Sequence, residues 1–172
     1  ELRVRSGVLS AERRMGKTSV LSKMLAETPP DIVAVRRDVE GVRTAEEFTE
    51  QVCTALRDTL TGSRKLGSKL KQFATGLGIT DVGPIKRDFT AQSWKVMLHE
   101  VCRQAEACHD EFLVIVLLDE LPYMLDSLDD ATAREVMDVL REIRSSRLRL
   151  RFVFCGSIGL HHVLQRLRAP GR

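Results

Sequence analysis

With 172 residues, 43% of them hydrophobic and 30% charged, the chain is long enough for one domain with a well-buried core. No apolar run approaches the length of a membrane-spanning helix, and nothing at the N-terminus has the pattern of a signal peptide. The net charge of +3 conceals a segregation, with six Lys/Arg against two acids over 61–90, eight Arg against one acid over 141–172, and three bases against eleven acids over 91–140.

The chain begins at Glu1 and runs at once into an apolar strand, Val4 to Ser10, so it is expected to be a piece of a longer protein. The next stretch, Ala11-Glu12-Arg13-Arg14-Met15-Gly16-Lys17-Thr18, fits the phosphate-binding pattern G-x-x-x-x-G-K-[ST], with Ala11 in place of the first glycine. A strand delivers the loop and a helix N-terminus follows it, which is the context that phosphate binding requires. Backbone N–H groups around Gly16, Lys17 and Thr18 then face phosphate oxygens, helped by the positive end of the helix dipole. In this pattern Lys17 places its ammonium between β- and γ-phosphates, and the Thr18 hydroxyl binds Mg²⁺. The competing reading is a Gly-Lys-Thr helix start that holds no ligand.

Val20, Leu21, Met24 and Leu25 recur at helical spacing until Thr28-Pro29-Pro30 stops the helix. Asp31 to Val39 is expected to be a largely buried strand. Thr44 and Glu47 form a capping box that opens a helix with an apolar stripe of Ala45, Phe48, Val52, Leu56 and Leu60. Strand, helix, strand, helix argues for a parallel sheet. Residues 61–90 break this rhythm and are expected to be a basic insertion, with a short amphipathic helix around Leu66, Leu70, Phe73 and Leu77 and then glycine punctuation.

Trp94, Met97, Leu98, Val101, Cys102, Ala105 and Cys108 give the cleanest helical stripe. Phe112 to Leu118 is an unbroken apolar run and therefore a central strand covered on both sides. It ends at Asp119-Glu120. Asp129 or Asp130 caps a further helix bearing Val136, Met137, Leu140 and Ile143. Arg149 to Ser157 is a fourth strand, and His161 to Arg168 opens another helix.

Cys53, Cys102, Cys108 and Cys155 show no paired framework, and buried free thiols in a reducing, cytoplasmic setting are the simplest account. Cys102, Cys108 and His109 make poor zinc geometry, and core packing is preferred. The basic segments fit nucleic acid, an acidic partner subunit, phosphates or an arginine-rich solvated face. One Trp and one Tyr give little support to stacking on bases.

A phosphate loop needs a second anchor for Mg²⁺ and a group that prepares water, both best placed at the carboxyl end of a neighbouring parallel strand. Asp119 stands at such an end and would hold Mg²⁺ directly or through water. Glu120, beside it, would orient the attacking water or accept its proton.

Ala11 to Leu21 resembles the Arg-Arg-x-Gly-Lys-Thr-Ser loop of archaeal-type ATPases, a branch near the STAND and origin-recognition-like AAA+ proteins. Leu-Leu-Asp-Glu-Leu-Pro-Tyr at 117–123 is similar to their Walker B segment, and Phe-Cys-Gly-Ser-Ile-Gly at 154–159 to the strand carrying their polar sensor. The resemblance implies ATP as the nucleotide, held by Ala11, Glu12, Arg13, Arg14, Met15, Gly16, Lys17, Thr18 and Ser19, with Mg²⁺ on Thr18 and Asp119. It implies Lys17, Glu120 and Ser157 as the catalytic set, Ser157 standing at the first-sensor position, where its hydroxyl would contact the γ-phosphate or the attacking water. The fold expected is a three-layer α/β P-loop domain of AAA+ type over 1–172, strand order 5-1-4-3-2, ending before strand 5 and the helical lid. Arg166 and Arg168 lie where such a core often carries an arginine finger, and His161 and His162 are expected to point to different faces. The function expected is Mg²⁺-dependent ATP hydrolysis driving a conformational or assembly switch, with a protein partner or self-oligomer. The alternatives are a slowly hydrolysing nucleotide-gated scaffold and a DNA-associated loader.

Overall fold

In a computed structural model of the chain, the structure describes residues 6–12, 15–62, 94–108, 113–146, 149–157 and 160–168. Arg13, Arg14, His109 and residues 63–90 of the expected insertion lie outside them. The element order is β1 (Gly7–Ser10), α1 (Lys17–Ala26), β2 (Ile32–Asp38), α2 (Ala45–Gly62), α3 (Trp94–Cys108), β3 (Leu113–Asp119), α4 (Leu121–Ser127), α5 (Asp130–Ser146), β4 (Leu150–Gly156) and α6 (Leu160–Arg168).

The four strands form one parallel sheet in the order β1-β4-β3-β2. Among the described residues this is the 1-4-3-2 part of the expected order. Alternation along each strand sorts the side chains between two covered faces. Ile115 and Leu117 of β3, with Val153 and Cys155 of β4, meet Leu21 of α1 and the partly buried Leu9, Ile32 and Ala34. Val114, Val116 and Leu118, with Leu150, Phe152 and Phe154, join the larger cluster built with Phe48, Val52 and Leu56 of α2, Leu98 and Val101 of α3, and Val136, Leu140 and Ile143 of α5. Helices on both faces make the three layers.

The local signals act as expected. Glu47 N–H donates to Thr44 Oγ1 (3.1 Å), while the Glu47 carboxylate reaches one residue further back than the usual box and accepts from Arg43 N–H at 2.7 Å. Asp129, rather than Asp130, caps α5, accepting from Ala131 and Thr132 N–H at 3.0 Å each. A hydrogen bond from the Thr132 side chain, with these backbone bonds, favours its charged form and holds the Asp129 carboxyl below the usual range.

Helix α4 is a departure from the sequence expectation, which passed from Tyr123 directly to the helix capped at Asp129. Pro122 sits in its first turn, where a missing N–H costs nothing. The ring also decides a neighbour: a Cβ on Gly156 would lie 2.4 Å from Pro122 Cδ. Only glycine lets β4 end against α4. Gly156→Ala should therefore destabilise the chain by about 2 kcal/mol through overpacking, measured by urea unfolding, and Pro122→Ala in the same chain should recover most of that loss.

Candidate functional site

The loop after β1 is closed from within. Gly16 takes φ 77° and ψ 17°, a left-handed conformation that favours glycine, and it stands immediately before α1. Ala11 makes no such demand, since among the described residues a positive φ occurs only at Gly16 and Glu120. Its methyl in place of the pattern's first glycine therefore costs the backbone nothing. Lys17 is buried, and its Nζ donates to the carbonyls of Ala11 and Glu12, 2.8 Å each. Thr18, Ser19 and Met15 are exposed at the mouth of the loop.

Beneath the loop, the sheet face that carries α1 gathers three more groups. Asp119 closes β3 with only 3% of its surface exposed. Its Oδ2 accepts from Arg36 Nη2 at 2.7 Å. Arg36 comes from the neighbouring strand β2, and no motif pointed to it. The signal that could have found it is parity, because Arg36 shares a face with Ile32 and Ala34, which pack against α1. Cys155 completes the group from β4. Burial, the hydrogen bond with Asp119 and the negative charges of Asp119 and Glu120 push its thiol up to about 12, against the opposing pull of Lys17.

Glu120 follows with φ 56° and ψ 30°, rare for a residue with a side chain. Its backbone carbonyl accepts from Tyr123 and Met124 N–H, 3.1 Å each, and so starts α4. Its carboxylate turns toward the end of β4, where Oε2 accepts from Ser157 N–H (3.1 Å) and Ser157 Oγ (2.9 Å). The structure thus brings Lys17, Asp119, Glu120 and Ser157 to one edge of the sheet. Ser157, expected to reach phosphate or water, has Glu120 as its partner.

Arg166 is committed elsewhere within the chain. It pairs with Asp126 of α4 and, through Nε at 3.3 Å, with Asp130 of α5. His161 and His162 do not point to different faces: both are exposed and their rings lie 3.8 Å apart, tilted by 42°. No helix among the described residues is long and apolar enough to cross a membrane. Cys53, Cys102 and Cys155 are buried and none of them is in a disulfide.

A family described as AAA domain matches residues 3–164. Among solved structures, the chain is similar to the Walker-type ATPase PABY2304 of Pyrococcus abyssi, with TM-score 0.56 and 18% identity over 95% of this chain and 44% of that one. It is also similar to the ORC2 protein of Aeropyrum pernix described in ADPNP–ADP complexes, with TM-score 0.52 and 12% identity over 95% of this chain and 38% of that one. At these identities the likeness is one of fold, and the chain spans less than half the length of either neighbour. No curated protein matches the sequence.

The raised Cys155 thiol gives a direct check on this packing. At pH 8, well below about 12, Cys155 should stay unlabelled by iodoacetamide in the folded chain and become labelled in urea, as read by peptide mass spectrometry.

Proposed function

We propose that this chain, which belongs to the AAA domain family, binds ATP with Mg²⁺ and hydrolyses the β–γ phosphoanhydride to drive a conformational or assembly change. The observation that carries this reading is the convergence of Lys17, Asp119 and the Glu120–Ser157 pair at one sheet edge beside the loop at 11–18. The Aeropyrum neighbour is described with ADPNP and ADP, which supports an adenine nucleotide here.

Lys17 exchanges the Ala11 and Glu12 carbonyls for the β- and γ-phosphates, and the N–H groups at the start of α1 take the remaining phosphate oxygens. The donors fit Mg²⁺. Asp119 and Thr18 supply hard oxygen atoms, and Asp119 already takes a cationic partner, the Arg36 guanidinium. Thr18 and Asp119 would hold the ion, which when bound would supply neutralisation of phosphate charge. Glu120 orients the attacking water and receives its proton as the water oxygen bonds to the γ-phosphorus and the bond to the bridging oxygen breaks, leaving ADP and phosphate. Ser157 aims the Glu120 carboxylate.

The Glu120–Ser157 bonds also favour a second use of the same site, a switch that holds nucleotide and turns over slowly, because the carboxylate has a partner to leave before it serves water. Multiple-turnover kinetics on the full-length protein separates the two. Which protein partner or second copy responds to the cycle is a property proposed of that longer chain.

Lys17→Ala should abolish measurable ATP binding in a fluorescent-nucleotide titration. Glu120→Gln should keep ATP affinity while phosphate release falls by roughly 10²–10⁴-fold, the usual scale of general-base catalysis. Normal phosphate release from Glu120→Gln would sink its assigned role.

A further inference from the structure

We infer that Arg36 is a positioning residue that competes with Mg²⁺ for Asp119, so that the chain carries its own counter-cation for the metal carboxylate and sets how much Mg²⁺ the site needs. This rests on the nucleotide-binding reading above and deepens it.

The placement follows from register. Arg36 pairs with Leu117 across the β2–β3 ladder, two positions before Asp119, and Asp38 pairs with Asp119 itself. A long side chain starting beside Leu117 on the α1 face therefore reaches forward along the strand to the Asp119 carboxylate. The contact is 2.7 Å, with Asp119 only 4% exposed at its side chain and Arg36 25%. Water has little access to Asp119, so a cation must balance its charge.

The contact is also incomplete. One guanidinium nitrogen meets one carboxylate oxygen, and the buried Arg36 Nε has no hydrogen-bond partner. A full fork would take both oxygens and both edges of the guanidinium. This single bond balances charge without locking it, which suits a partner that gives way to a divalent ion. Lys17, the other nearby cation, spends its Nζ on loop carbonyls. Among the described residues, Arg36 is thus the cation that carries the competition.

The test titrates Mg²⁺ into the full chain with mant-ATP and reads the Mg²⁺ midpoint for nucleotide binding. Arg36→Gln should lower that midpoint roughly tenfold, the scale of one charge-assisted hydrogen bond. Arg36→Lys, which keeps the charge and loses the planar fork, should lower it roughly threefold. The Arg36→Gln effect should vanish in an Asp119→Asn background, while the Arg36 variants with Asp119 intact keep their affinity at saturating Mg²⁺ within about twofold. A purely structural Arg36 would lower the melting temperature and leave the midpoint in place, and that result overturns the inference. So does a loss of affinity at saturating Mg²⁺, which would make Arg36 a phosphate contact. Should Arg36→Gln fail to fold, Arg36→Lys decides by the same criterion. If the unaltered chain binds no mant-ATP, the nucleotide reading fails instead. Mn²⁺ added alone and followed by electron paramagnetic resonance then still decides, since Arg36→Lys must bind it more tightly than the unaltered chain for the competition to stand.

Discussion

Parallel pairing of β1, β4 and β3 in a single register fixes where every group of the site can stand. Ser10 pairs with Gly156, and Leu118 with Phe154, so the loop after β1, the turn after β4 and the Asp119–Glu120 step leave the sheet at one edge. The apolar run of β3 does little to choose this register. Val114 to Leu118 is apolar on both faces, and a slip by one residue would exchange one set of aliphatic side chains for another. The ends discriminate. In the slipped register Asp119 would enter the larger apolar cluster, away from Arg36 and without a counter-charge. The cost of a bare buried carboxylate, several kcal/mol, far exceeds any packing preference among Val, Ile and Leu. The charged pair that serves the site therefore also helps to select the pairing that builds it.

The same sheet sets a limit on α1. Only Leu21 and Lys17 of that helix are buried, Leu21 against Ile115, Leu117, Val153 and Cys155. Burying one leucine contributes about 2 kcal/mol, and Met24 and Leu25 add partial contacts. Lys17 ties the beginning of the helix to the loop by its two bonds to carbonyls. The helix that presents its N-terminus to a phosphate is thus held by its own first residue, so loop closure and helix placement are one event.

What was legible in the sequence was carried by contiguous residues. The loop at 11–18, the strand running into Asp119-Glu120 and the capping signals at Thr44 and Asp129 each state their geometry over a few positions, and the elements stand where those signals put them. Arg36 was not legible as a site residue because its meaning lies in a partner 83 positions away; in its own stretch, Val-Arg-Arg-Asp looks like the charged end of a strand. Helix α4 was missed because at seven residues it is too short to show a repeating apolar stripe, and its Pro122, in the first turn, interrupts nothing. The demand for glycine at 156 was invisible with it, since it is the Pro122 ring that fills the space a side chain would take. The two histidines were assigned to separate faces from their adjacency, whereas rotation of both side chains brings their rings together in the open.

Three charged groups of the site share one property: each takes its partner from the chain itself. Lys17 has loop carbonyls, Asp119 has Arg36, and Glu120 has Ser157. Cys155, kept protonated, adds no further negative charge beneath them. A ligand here gains only the difference between its own contacts and those it replaces. Glu120 shows how such an exchange can proceed without disturbing the fold. A left-handed conformation at a residue with a side chain costs roughly 1–2 kcal/mol, and that conformation is fixed by the bonds from Tyr123 and Met124 N–H to its carbonyl at the start of α4. The Ser157 bonds act on the carboxylate instead. Backbone and carboxylate are thus held by different partners, and the side chain can leave Ser157 for water by rotation about its own bonds while α4, and with it the Pro122–Gly156 contact, stays in place.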